Sequence, residues 1–421
     1  MSKSEMFRAQ PGYLPTALLC LAVLANACSS DPLHAPTQAV PIAGCEMLDI
    51  VPCDTLQTDC QQSRLELAAC LRETTAVDLP RITVMTEQAY VDYLKSLYEG
   101  RELVTNHFEI AMTWLGLAQP GSFSFVPPDE QKMAEWFGTY RWRQKDVLII
   151  DHGKPADDQA SNVALVAALI RSLRDRDINI GMWTTEVAVF DVDSNWGADA
   201  MYFGESRFFS NRYQAALDGL DSSRLDEFAQ INDSIREDIA WIRTQSSPYV
   251  ATNDRFPHNF GARATYLAWQ RGGVDAVNAL YHDKLITHQL MASETVEAPA
   301  PTLKYHTRPR APEEWDQLPI VTALGAWGLY LSLSQNLESD AAWSLALNWS
   351  GEQLFAYKAI EPSLDTALVW QLEMADEASA SALEAALLLG TLGAQVQRIG
   401  TFVTLAIATN QDPLDWAFVA D

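Results

Sequence analysis

The chain has 421 residues, 55 of them acidic and 29 basic, for a net charge of −26. Apolar residues make up 48% of it, enough to bury a large core, which excludes disorder as the main state. The charge also excludes nucleic acid as a partner, because a phosphate backbone would be repelled and no basic run interrupts the acidic pattern.

The first segment reads as an address. Lys3 and Arg8 precede an apolar run over 14–27 that is too short for a bilayer span of about 20 residues. A positive flank, a short apolar run and small residues together predict a signal peptide at 1–27. Ala25-Asn26-Ala27 forms an A-x-A cleavage site that leaves Cys28 first, followed by Ser29 and Ser30. That start resembles a bacterial lipoprotein, although Ala25 holds the usual Leu position. The resemblance implies lipidation at Cys28 and the membrane as a partner through that lipid; a simply secreted protein with the same cut is the alternative. Residues 28–44, rich in Pro, Ala, Ser and Thr, read as a tether.

Next comes a cysteine-rich stretch, 45–75, holding Cys45, Cys53, Cys60 and Cys70; no cysteine follows. Four cysteines in an exported chain predict two disulfides. Three connectivities are open. A helical hairpin would favour the nested one, Cys53 with Cys60 and Cys45 with Cys70. A zinc site is the rival reading, weakened by the lack of a CxxC pair or a nearby His.

Residues 76–340 read as a mainly helical domain. Arg81-Ile-Thr-Val-Met85 is a predicted strand, and Thr86 is placed to cap a helix of about a dozen residues. Val147-Leu-Ile-Ile-Asp151 is a predicted buried strand. Helices are expected over 162–176, 206–220, 223–244, 261–270, 273–281 and 318–335. Residues 341–421 read as a small α+β unit: strands at 354–358 and 366–372, a helix at 378–389, and strand over 396–409 bent at Gly400.

Most standard catalytic motifs are absent. There is no P-loop, no GxGxxG, no GxSxG and no HExxH. Asp151-His152 closes the clearest strand, a frequent position for catalytic groups, with an ordinary turn as the favoured reading. His258, His282 and His288 are the other candidates for a hydrolytic group; surface polar roles are the bland reading of the last two.

The run VALVAALIRSLRDRDINI at 163–180 resembles the active-site helix of bacterial gluzincin-type zinc metallopeptidases, which reads like LAHELTHALQDQHFDL. AMYFGES at 200–206 is similar to that family's ALVEGEA segment. FPHNFGA at 256–262 and RGGVDAVNALY at 271–281 resemble its FPYxxG…GGWxAVNAAY stretch. THQLMASE at 287–294 resembles STEQVLHPEKY, and LGAWGL at 324–329 and LVW at 368–370 complete a likeness over roughly 80–410. It implies an α+β, predominantly helical fold with a gluzincin-like domain and a small C-terminal α+β unit.

The likeness fails where the chemistry sits. Ala167 stands for the first metal-binding His, Ala168 for the catalytic Glu, Arg171 for the second His, and Phe203 for the third ligand; Ala292 replaces a further His. Zinc hydrolysis needs three protein ligands, an open position and a carboxylate base. Alanine supplies none of these, and arginine, permanently charged, does not coordinate a cation. The resemblance therefore implies an inactive relative with no metal and no cofactor. Its residual cleft would be built from Arg171, Asp199, Phe203 and Glu205 and bind a peptide or an envelope protein. Trp183, Trp196 and Tyr202 join Phe203 as candidate lining, with core packing as the alternative for each. Arg171 would either pair with Glu205 or Asp199 in place of the metal charge or lie exposed beside Asp175. The competing functional reading is a hydrolase built on Asp151/His152 or on His258/His282/His288.

Overall fold

The structure, a computed structural model, describes residues 39–418 apart from 77, 98–101, 124–127, 129–132, 134–136, 188–190, 221–225, 283–284, 293–308, 310, 319–322, 361–364, 391–393 and 411–413. The expected leader, Cys28 and most of the tether lie outside the described residues. No helix among those described is long and apolar enough to cross a membrane. The last residues of the expected tether lie against the body: Ile42 is buried and the Val40 N–H donates to the Ala216 carbonyl at 3.0 Å.

Both disulfides form, in the nested pairing: Cys53–Cys60 and Cys45–Cys70, with Cα separations of 5.7 and 6.0 Å. The expected helical hairpin is half right. Helix α1 (Thr58–Leu71) is one arm, and the other is a chain of turns. Pro52 and Gly44, at φ +83°, oppose a helix there.

Three strands make the first sheet: β1 (Arg81–Thr86), β2 (Gly138–Arg141) and β3 (Asp146–Asp151). β3 is central, parallel to β1 and antiparallel to β2. Its Val147, Leu148, Ile149 and Ile150 are buried on both faces, which explains the unbroken apolar run. Thr86 caps α2 (Glu87–Ser96), its side chain accepting from the Ala89 N–H. Helix α3 (Glu102–Trp114) follows.

The helical body holds α4 (Gln159–Ile178), α5 (Ile180–Val187), α6 (Val192–Leu217), α7 (Glu227–Arg243), α8 (Pro248–Ala279) and α9 (Thr287–Met291). Asp158, Asp191 and Asp226 cap α4, α6 and α7 by accepting from backbone N–H groups three residues on. Asn179, at φ +52°, ends α4 in the left-handed region. Helix α8 runs as one unit through Pro257 and breaks only at Gly272 and Gly273, between the two helices expected there. Helices α6 and α8 cross at Gly204 and Gly261, where either Cβ would overlap backbone of the other helix.

The second sheet is antiparallel, in the order β4 (Trp315–Leu318), β5 (Trp349–Ala359), β6 (Thr366–Met374), β8 (Phe402–Ala408), β7 (Gln395–Ile399). Gly400, at φ +59°, turns β7 into β8. Helix α12 (Glu377–Gly390) lies against β6, β7 and β8. The helix expected over 318–335 shrinks to α10 (Gly325–Leu333), because Trp315–Leu318 pairs with β5 instead; α11 (Ser339–Leu347) follows. The whole is a mixed α+β fold in which helix predominates.

Candidate functional site

Helices α4, α6 and α8 bring the site residues together. Ala168 is fully buried on α4, with Ala167 half-buried beside it. One turn on, the Arg171 Nε donates to the Ala167 carbonyl at 3.3 Å, and its guanidinium lies 5.2 Å from the centre of the Phe203 ring on α6. Phe203 in turn packs against His258 of α8 at 5.3 Å and Tyr202 at 5.2 Å. Positions 171 and 203, distant in sequence, thus face each other across the α4–α6 contact, as a cation resting on an aromatic face. Arg171 is 6% exposed, so it is not the surface residue of the simpler expectation. Ala292 ends α9, its N–H bonded to the His288 carbonyl.

Glu205 has other partners than Arg171. It accepts from Arg174 Nε and Nη2 at 2.7 and 2.8 Å, from Arg72 Nε at 2.8 Å, and from the Tyr281 hydroxyl at 2.6 Å. Arg72 also reaches Asp177. Burial pushes this carboxyl up, but the two guanidiniums overcome it and hold the pKa down at about 2. The expected Arg171–Glu205 pair is replaced because Arg174, three residues on, points its fork at the same carboxylate. Sequence reasoning missed Arg72, Arg174 and Tyr281. Arg174, a cation within a largely apolar helical run, was the one available signal; Arg72 sits at the C-terminal cap of α1, where nothing local marks it.

Asp199 behaves differently. It makes no hydrogen bond or ion pair among the described residues, so the expected Arg171–Asp199 pair is absent as well. It keeps a partly exposed surface, yet the surrounding protein pushes its carboxyl well above the usual range, and no cation offsets this. Its ionised form would bear on Tyr202 and Tyr249. Trp196, one turn earlier on α6, packs on Tyr249 at 5.2 Å and donates to Asn253 at 2.9 Å. Trp183 instead packs on Tyr281, beside the Glu205 network.

The rival hydrolytic groups are scattered. His152 Nδ1 sits 2.6 Å from Glu87 Oε1 at the start of α2, and Asp151 accepts from the Gly153 N–H in a turn. His288 Nε2 lies 3.0 Å from the Leu347 carbonyl and stacks near Trp349. His282 is exposed beyond α8. Burial, with Arg207, Arg171 and Arg255 nearby, depresses His258 to about 3, so its ring is neutral. Among the described residues no three His, Cys, Asp or Glu side chains are grouped to hold a metal ion.

No protein family, curated protein or solved structure matches this chain at a significant level.

Proposed function

We propose that the protein is an exported, lipid-anchored pseudo-metallopeptidase of the bacterial envelope. It carries a gluzincin-like helical domain without the zinc ligands or the catalytic carboxylate and uses the former catalytic face to bind a peptide or an envelope protein. The observation that carries this reading is the Arg171–Phe203 contact. The second-His and third-ligand positions of the resembled family meet across two packed helices, and the residues meeting there are a cation and an aromatic ring. Four chemical positions, Ala167, Ala168, Arg171 and Phe203, have changed together into residues that pack. Two disulfides support folding in an oxidising compartment, and Cys28 is the expected lipid site.

The test is metal content. The full chain, purified without chelator, is expected to hold no stoichiometric zinc. A variant with His at 167, Glu at 168, His at 171 and Glu at 203 is expected to gain it. Zinc at about one per chain in the native protein would overturn the proposal.

A further inference from the structure

Three exposed apolar side chains gather where the chain joins its folded body. The Val40 N–H donates to the Ala216 carbonyl at 3.0 Å, and the Tyr213 hydroxyl donates to the Ile50 carbonyl at 3.1 Å. Both ends of the loop over 40–50 are thereby fixed to the last turns of α6. The Cys45–Cys70 disulfide ties the middle of that loop to α1. The Gly219 and Leu220 N–H groups close the same end of α6, on the Ala216 and Ala215 carbonyls. From this rim Met47, Val51 and Leu220 stand out at 96, 60 and 46% exposure. Single exposed apolar residues are ordinary, but a group of large ones marks a surface that another phase or molecule covers.

The anchor says which. Cys28, the expected lipid site, lies eleven residues before Ala39. Fully extended, eleven residues reach at most about 40 Å. A folded chain of this length is about 55 Å across. An anchor at Cys28 therefore keeps the bilayer on the side of the body where Val40 is fixed, and that side carries Met47, Val51 and Leu220. Carboxylates share the rim: Glu46 accepts from the Gly44 N–H, Asp49 from the Val51 N–H, and Asp218 from Gln159 and Gln214. An anionic lipid surface repels these groups, whereas a zwitterionic one accepts the apolar tips between them.

We infer that the loop over 40–51 and the C-terminal end of α6 form the membrane-facing surface of this protein, resting on a zwitterionic bilayer through Met47, Val51 and Leu220. The inference rests on the lipid anchor proposed above and adds to it a second, weak contact that sets how the body stands. Helix α4 begins at this surface, through the Gln159–Asp218 bond, and its 20 residues carry its other end about 30 Å away. Met182, 61% exposed just beyond that end, lies outside the surface.

The experiment is hydroxyl-radical footprinting of the exported protein on phosphatidylcholine vesicles, read by mass spectrometry. Met47 and Met182 serve as internal probes with opposite expectations. Against a Cys28→Ser protein in solution, Met47 oxidation is expected to slow at least about threefold on the vesicles while Met182 oxidation is unchanged. Vesicles containing half phosphatidylglycerol are expected to restore part of the Met47 rate at low salt; stronger protection there would overturn the zwitterionic assignment. Unchanged Met47 oxidation on phosphatidylcholine, or slowing at Leu388, Leu389 and Ile399 instead, would overturn the inference. Slowing of Met47 in solution as concentration rises would also overturn it and give the surface to a second copy of the chain. The mass of the N-terminal peptide reports the anchor separately. An unlipidated Cys28 would overturn the anchor in the reading above; its thiol, coupled to a maleimide-headgroup lipid, would then hold the protein to the same vesicles, and the Met47 rate would still decide the surface.

Discussion

Arg174 grips Glu205 through two parallel N–H···O bonds of 2.7 and 2.8 Å, and neither side chain is more than 3% exposed. Together with Arg72 this is a buried cluster of two cations on one anion. Replacing Glu205 with Gln takes the carboxylate from Arg174 in a low-dielectric site and leaves Arg72 with Asp177 alone. The expected cost is about 3–5 kcal/mol, read by urea denaturation. The pH dependence has a definite sign. The folded pKa of about 2 lies below the ordinary 4.5, so the contribution is complete above pH 4.5 and is lost as pH falls toward 2. Glu205→Gln should flatten that acid limb.

Glu352 should give the opposite slope. Its carboxylate accepts from the Leu324 and Gly325 N–H groups and from Trp370 Nε1 at 2.8 Å, which lowers its pKa, but burial, helped by Asp193, prevails and raises it to about 8. A folded pKa above the unfolded 4.5 contributes fully below pH 4.5 and fades as pH rises to about 8. Glu352→Gln removes this slope at the cost of a weakened contact to Trp370, about 1 kcal/mol. Between pH 5 and 8 the melting temperature of the native protein should fall relative to that of Glu352→Gln, so that the variant becomes the more stable protein toward the alkaline end, and parallel curves would contradict the assignment.

Arg171 is separable from a surface residue by charge reversal. An exposed arginine paired with Asp175 at i+4 would lose only about 0.5 kcal/mol. Seated on Phe203 at 6% exposure, Arg171→Glu places an uncompensated carboxylate on an aromatic face. The expected loss is about 3 kcal/mol, and Arg171→Met, which keeps the stem, should lose about 1 kcal/mol. Equal, small losses in both variants would place the guanidinium outside the core.

Gly261→Ala tests the helix crossing. A Cβ there would overlap the Ala200 carbonyl, backbone that does not yield cheaply. A destabilisation of about 3 kcal/mol is expected, with a shift in near-ultraviolet circular dichroism as the aromatics of α6 and α8 move apart.

The sequence made legible those features that rest on local chemistry. The Val147–Asp151 run declared a buried strand, Thr86 declared a helix start, and Gly400 declared a turn. Helix α6 was hidden over its first half because Asp193, Ser194, Asn195 and Gly197 are poor helix formers held there by packing. The expected helix began only at 261, whereas α8 starts at Pro248 and runs through Pro257, and its close approach to α6 requires a glycine at 261. In the site, Arg171 and Phe203 could be marked through the family resemblance. The Arg72–Glu205 bond joins residues 133 positions apart, and no local pattern announces such a contact.

The Glu352 bonds to Leu324 and Gly325 bear on where this chain can be cut. Those two N–H groups open helix α10, and the carboxylate that satisfies them arrives from a strand of the second sheet, to which Trp315–Leu318 already belongs. A boundary drawn at 340 therefore cuts across these bonds and through a continuous buried apolar cluster. Either fragment would carry away half of a hydrogen-bonded joint and bare apolar surface that the intact chain never shows to water.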